Sequence, residues 1–236
     1  MEKLQIIYED EAVVVCHKLP GIPVQTPKAG QQDMVSLLRN YYTRKKENNQ
    51  VFIVHRLDQP VEGVMVFART KDAAAKLSRQ VQERQMDKQY LAVVQGIWEE
   101  KSGVLENYLL RDGRTNTSKV VLKGTTGAKK ARLSYEVEAV SNEASSDEEK
   151  GRKKECSLVR IWLETGRHHQ IRVQMAHAGH PLVGDKKYNP GCAAGYQPIG
   201  LCSVKLSFMH PVTGKSMEFT VEPQGSVFQT QAESEV

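Results

Sequence analysis

Short apolar runs, bounded by charged or turn-forming residues, follow one another along most of this chain, and only three stretches carry the spacing of an amphipathic helix. Leu4 to Tyr8 and Ala12 to Cys16, separated by Glu9-Asp10-Glu11, predict a short antiparallel strand pair. Lys18-Leu-Pro-Gly-Ile-Pro then turns the chain. Val51 to Val54 and Val64 to Phe67 predict two further strands on either side of the polar His55-Arg56-Leu57-Asp58. After Tyr90 to Val94 come the runs Val104 to Leu110, Lys119 to Leu122, Arg132 to Val140, Ser157 to Leu163, Leu201 to Phe208 and Met217 to Val221. Helical spacing appears first in Val35, Leu38 and Tyr42, behind Asp33 as N-cap. It recurs in Ala73, Leu77 and Val81, in a segment from Lys71 to about Gln85 that Thr70 caps. The third helix is expected over roughly His168 to His177, capped by Thr165, with Ile171, Met175 and Ala178 inward and Gly179 as its stop. Regular strands with polar and Gly-rich turns favour an α+β class, a mixed, largely antiparallel sheet flanked by helices, over a doubly wound sheet.

Composition adjusts this picture at a few points. A chain of 236 residues is long enough for one sizeable core, and we expect a single domain over 1–236 with a central cleft. Residues 141–155 (SNEASSDEEKGRKKE) have no apolar face and change from acidic to basic, which predicts a mobile charged insertion. The Gln/Glu/Ser-rich residues 225–236 predict a frayed tail. The net charge of +5 fits a polyanionic partner and equally fits simple solubility. The four cysteines form no CxxC pair, so neither a disulfide framework nor a zinc ribbon is indicated, and a reducing cytoplasm fits. No apolar stretch approaches membrane-spanning length, and no RNA-binding module is expected ahead of Leu4.

Asp58 stands where an apolar run gives way to Gln59-Pro60 and Gly63. A strand end holds a side chain rigidly while leaving one side open, which suits chemistry. The same residues also suit an Asx turn with His55 packed in the core, and residue types alone leave both readings open. A metal site built on His168, His169, His177 and His180 with Asp185 has loose spacing, because zinc ligand pairs on a helix lie three or four residues apart.

Four segments in order change the balance. His55-Arg56-Leu57-Asp58 with Gly63 and Ala68-Arg69-Thr70 resembles the nucleophile motif of the RluA-type pseudouridine synthases. Lys88-Gln-Tyr90 resembles that family's Lys-x-Tyr strand, and Thr165-Gly-Arg-His-His-Gln-Ile-Arg172-Val173 its Gly-Arg-x-His-Gln-Ile-Arg segment. His177-Ala-Gly-His-Pro-Leu-Val-Gly-Asp185 continues the pattern. The resemblance implies an RNA uridine-to-pseudouridine isomerase with Asp58, Tyr90 and Arg172 as catalytic residues and with His55, Arg56, Arg167, His169 and Gln170 at the RNA. It also implies that Arg172 pairs with Asp58 and that Arg56 stacks where the target base has left its helix, provided the strand stays extended as far as Asp58. No cofactor, no metal and no membrane are expected, and the chain is expected to act as a cytoplasmic monomer on RNA.

One departure from the family's pattern stands out. Where the family usually has Thr-Ser after the aspartate, this chain has Val61-Glu62. A Glu62 pointing inward near Asp58 would disfavour the ionised nucleophile, whereas one pointing to solvent would not. The alternative function is therefore a catalytically weakened RNA-binding protein on the same scaffold.

Overall fold

The computed structural model describes residues 4–28, 30–143, 154–192 and 198–232. In chain order its elements are β1 (Gln5–Glu9), β2 (Val13–Lys18), α1 (Met34–Arg44), β3 (Phe52–Ile53), β4 (Glu62–Ala68), α2 (Lys71–Gln82), β5 (Asp87–Gln95) and β6 (Ser102–Asp112). They continue with β7 (Thr117–Val121), β8 (Lys129–Glu143), β9 (Lys154–Leu163), α3 (Gln170–His177), β10 (Leu201–Met209), β11 (Ser216–Thr220) and α4 (Ser226–Ala232). The class is α+β, with strands that pair mostly antiparallel. The chain forms two compact units, Met1–Lys88 with Cys202–Pro223 and Gln89–Leu201 with Gln224–Val236. No described helix is long and apolar enough to cross a membrane.

In the first unit β4 is the organising strand. It is buried along its whole length, as expected of an unbroken apolar run covered on both faces. β2 lies antiparallel to it from Val13↔Ala68 to Lys18↔Gly63, with β1 outside β2. β3 pairs with the end of β4 at Phe52↔Ala68 and Ile53↔Phe67. β10 runs parallel to the start of β4 at Cys202↔Glu62 and Ser203↔Gly63, and β11 returns along β10. Ala73 and Leu77 of α2 join Val13, Val15, Val64, Val66, Leu206 and Phe208 in the core.

The helix caps follow from the sequence. Asp33 accepts the Ser36 N–H at 2.7 Å, and the Ser36 hydroxyl accepts the Asp33 N–H, a complete capping box. Thr70 accepts the Ala73 N–H to start α2, which ends at Gln82 rather than Gln85. In the basic run after α1, Lys45 is bound to Glu9 at 2.7 Å and to Glu47 at 3.0 Å.

In the second unit the strand order is β5, β9, β8, β6, β7, every neighbour antiparallel. Leu109, Ala131 and Val173 pack with Val120 and Tyr188, placing α3 against β6 and β7. Trp98 stacks on His180 at 4.4 Å and meets Tyr135, tilted, at 4.3 Å between ring centroids.

Three expectations are corrected here. α3 starts at Gln170, and its N-cap is His169 in a left-handed conformation (φ 53°) with no side-chain capping bond. Thr165 does not cap it, because its hydroxyl is used by the Arg132 N–H and by Gln170 Oε1, both at 2.8 Å. The other end is as expected: Gly179 (φ 90°) and His180 return N–H bonds to Ala176 and Met175, a Schellman stop. In the tail, Ser226–Ala232 is helical and places Phe228 in a buried position, while 233–236 lie outside the described residues. Of the charged insertion, Ser141–Glu143 and Lys154–Glu155 continue β8 and β9, while 144–153 lie outside the described residues.

Gly63 is required by β10. Its φ is 131°, and a Cβ there would stand 2.4 Å from both the N and the O of Ser203. Gly63→Ala is expected to cost about 3 kcal/mol or more through strain and overpacking, read as a fall in the urea midpoint at an unchanged m-value.

Candidate active site

On the first unit, β3 stops at Ile53, and residues 54–61 cross irregularly to β4. The extended strand that was to carry Arg56 and Asp58 on one face therefore ends before either. Asp58 is half-buried and opens a turn in which its carbonyl accepts the Val61 N–H at 3.0 Å. That turn is held from β2 and the loop after it. Lys18, with no solvent exposure, donates from Nζ to the carbonyls of Gln59 (3.0 Å) and Leu19 (3.1 Å). The Gly21 N–H reaches the same Gln59 carbonyl at 2.9 Å, and Gln59 Nε2 returns to the Gly21 carbonyl at 3.0 Å. Burial lowers the Lys18 ammonium to about 7, while the charges of Asp58 and Glu62 oppose that fall.

Glu62 points inward. It is 2% exposed, its Oε2 lies 3.7 Å from His17 Nε2, and the Cys202 thiol belongs to the same cluster, with donor atoms within 4.8 Å of one another. It is the only potential metal-ligand group of three among the described residues. Burial and then Glu62 push the Cys202 thiol far up, so it is a neutral SH. His55 is likewise buried. Its Nε2 accepts the Val66 N–H at 3.2 Å, and desolvation, helped by the Lys88 charge, holds its pKa well below the ordinary 6.5. It is thus a neutral brace on β4. Arg56 is exposed, with Nη2 3.4 Å from Gln25 Oε1.

On the second unit, Tyr90 is a buried residue of β5 opposite Ile161. Arg172, 4% exposed, projects from α3 into a two-pronged pair with Asp185, Nε to Oδ2 at 2.8 Å and Nη2 to Oδ1 at 2.7 Å. Its guanidinium carbon stands 5.2 Å from the centroid of the Tyr188 ring. The Tyr188 hydroxyl accepts the Ser118 N–H and meets His169 Nδ1, both at 2.7 Å. Gln170 is buried, its Oε1 taking the Arg167 N–H and its Nε2 donating to the Arg132 carbonyl. His169 and Gln170 therefore hold the loop into α3. Arg167 is half-buried and bonded through Nε to the Lys130 carbonyl. The histidines of the alternative metal site are used separately: His168 with Ser118 and Asn116, His169 with Tyr188, and His180 with the Gln95 carbonyl.

A family model described as RNA pseudouridylate synthase matches residues 12–177, which is most of the chain. The chain belongs to the RNA pseudouridylate synthase family. Among relatives, it is 34% identical over 231 residues to ribosomal large subunit pseudouridine synthase D of Vibrio cholerae, covering 92% of this chain and 66% of that protein. It is 32% identical to tRNA pseudouridine synthase C of Yersinia pestis, with 92% and 85% covered. The chain thus spans about two thirds of the length of several curated relatives it matches. In fold it is similar to human RNA pseudouridylate synthase domain containing 1, at a TM-score of 0.76 and 23% identity with 94% and 84% of the chains covered. It is also similar to human RNA pseudouridylate synthase domain containing 4, at 0.75 and 21% with 93% and 89% covered.

Lys18 and Tyr188 are not signalled as site residues by the sequence of this RNA pseudouridylate synthase chain, and Asp185 enters there only beside the histidines of the alternative metal site and in the last family-like segment. A lysine closing the strand VVVCHK, after the apolar run Val13 to Cys16, is the available signal for the first. For the others, only the position of Asp185 at the end of the last family-like segment pointed that way.

The His55 brace has a consequence for acid stability. The folded protein holds His55 neutral while the unfolded chain takes a proton near pH 6.5, so this contribution is complete above 6.5 and is lost as the pH falls below it. Between pH 6.5 and about 5, urea unfolding should show a loss of up to about 1.4 kcal/mol per pH unit. His55→Gln should lack that component, and an unchanged acid slope in the variant would refute the assignment.

Proposed function

We propose that this chain isomerises uridine to pseudouridine in structured RNA, ribosomal or transfer, with Asp58 as the nucleophile. The observation that carries the reading is Asp58 itself. In a chain of this family, a half-buried carboxylate opens a turn whose neighbouring carbonyl is held by a fully buried ammonium and a glycine N–H. Such anchoring is what a reacting group needs and a simple surface turn does not. Relatives named ribosomal large subunit pseudouridine synthase and tRNA pseudouridine synthase support both substrate classes.

The reaction breaks the bond from ribose C1′ to N1, turns the base and joins C1′ to C5. N1 takes up one proton and C5 gives one up, so atoms and electrons balance without a cofactor. Asp58 bonds to C1′ as N1 departs with the bonding pair, and leaves again when C5 attacks C1′. Tyr90 walls the uracil and its hydroxyl assists removal of the C5 proton, and Arg172 supplies positive charge to the reaction. The target nucleotide leaves its stack before reaction, with exposed Arg56 taking its place and Arg167 on the phosphates. His55, His169 and Gln170 act one step back, by bracing the strand and loop that carry these groups. The protein acts in the cytoplasm as a monomer.

Buried Glu62 favours one further reading. A second carboxylate drawing on Lys18 competes with Asp58 for that charge, which would suit a scaffold retained for RNA binding with weakened catalysis. Release of tritium from RNA carrying C5-tritiated uridine, in a single turnover, separates the two. We expect release by the wild type and none above background by Asp58→Asn, which should still bind RNA and unfold at the normal temperature or slightly above it. Near-normal release by Asp58→Asn overturns the nucleophile, and RNA binding without release by the wild type establishes the second reading.

A further inference from the structure

We propose that His17, Glu62 and Cys202 form a binding site for a divalent transition metal of the zinc class, closed across three neighbouring strands of the first unit. The site uses none of the groups assigned to the reaction, and its test does not depend on that assignment. Its donors come from β2, β4 and β10. Cys202 is the register partner of Glu62, and His17 is the partner of Val64, two residues along β4 from Glu62. Gly63 stands between these two β4 residues, and its missing side chain admits the Ser203 backbone, so β10 closes on β4 at the point where Cys202 and Glu62 are paired. The His17 Nε2 and the Glu62 Oε2 are 3.7 Å apart, and one donor atom from each of the three residues lies within 4.8 Å of the others. Ligands held tetrahedrally at zinc bond lengths stand about 3.3–3.8 Å apart. The first pair already has that spacing, and the thiol needs a shift of about an ångström.

The donor set selects the metal. One sulfur, one imidazole nitrogen and one carboxylate oxygen suit zinc and its neighbours, whereas magnesium and calcium call for oxygen alone. All three side chains are buried, with His17 4%, Glu62 2% and Cys202 0% exposed, and net charge in such surroundings is costly. A dication bound by a carboxylate, a thiolate and a neutral imidazole sums to zero, so the occupied site carries none. Binding is an exchange in which the Cys202 S–H bond breaks, sulfur donates its electron pair to the metal, and the proton passes to solvent. A fourth position is filled by water or by the second Glu62 oxygen. An ion here ties the strand that ends in Lys18 to the one that follows the Asp58 turn, so occupancy braces the mounting of Asp58. The family's usual pattern has a serine where Glu62 stands, so the donor set belongs to this chain rather than to the pattern.

The test is titration of the reduced, metal-free chain with cobalt(II) and then zinc(II), followed by absorption and by thermal unfolding. Cobalt bound to a thiolate gives a sulfur-to-metal charge-transfer band in the near ultraviolet, which cobalt on surface histidines lacks. We expect that band to saturate at about one equivalent, to disappear on adding zinc and to ignore magnesium, and we expect the unfolding temperature to rise with zinc concentration. Cys202→Ser should abolish the band, while Cys156→Ser and Cys192→Ser, which change the half-buried cysteines outside the site, should keep it. Glu62→Ser and His17→Gln should each weaken cobalt binding by about a hundredfold or more, beyond what the loss of a merely supporting group costs. No band from the wild type, a band that survives Cys202→Ser, or wild-type affinity in Glu62→Ser overturns the proposal. If Cys202→Ser does not fold, Glu62→Ser decides the matter, because it installs the residue usual in the family's pattern. Loss of both the band and the zinc-dependent rise in unfolding temperature in that variant supports the site, and retention of either overturns it.

Discussion

A single ammonium with no solvent exposure, that of Lys18, joins the end of β2 to the turn that Asp58 opens. Burying a lysine is expensive, and this one meets carbonyl oxygens with two of its hydrogens while the charges of Asp58 and Glu62 act on it. The arrangement explains several local features together. Gly21 approaches the Gln59 carbonyl that Lys18 also holds, Gly63 lets β10 close against β4 immediately after the turn, and His55 accepts a main-chain bond from β4 just before it. Asp58 is consequently mounted on main chain that is restrained on both sides, although the residue itself lies outside any strand.

The second unit solves the same problem with a different pair. Arg172 and Asp185 are each almost wholly buried, and each meets the charge of the other in a bidentate geometry. Buried ion pairs of this kind stabilise a fold weakly compared with well-packed apolar side chains, but they fix direction well. Both units therefore hold buried charge in positions where an apolar replacement would pack more cheaply.

Much of this was legible in the sequence, and the gaps have physical reasons. Strands appear as apolar runs because β4 and β2 are covered on both faces, and Asp33 and Thr70 announce their helices through side-chain capping. The start of α3 was misplaced because its cap is a left-handed histidine without a capping bond, which no propensity rule signals, while Thr165 is spent on Gln170. The polarity of the tail predicts fraying, yet Ser226–Ala232 is helical with Phe228 buried. Asp58, Tyr90 and Arg172 are proposed on resemblance alone. The contacts that hold the Asp58 turn and Arg172, made by Lys18 and Asp185, are visible only once distant segments are brought together, because they run through main-chain carbonyls or a partner 13 residues away. The inward direction of Glu62 was undecidable from composition and follows from its strand register beside Cys202.

The central claim is that this chain makes pseudouridine in cellular RNA through Asp58. Its most direct test is chemical mapping of pseudouridine across ribosomal and transfer RNA from cells lacking the protein, complemented either with the wild-type chain or with Asp58→Asn. The account predicts that at least one uridine loses its modification in the deletion, regains it with the wild type and stays unmodified with Asp58→Asn at equal protein level. An unchanged map in the deletion, or restoration by Asp58→Asn, would contradict it.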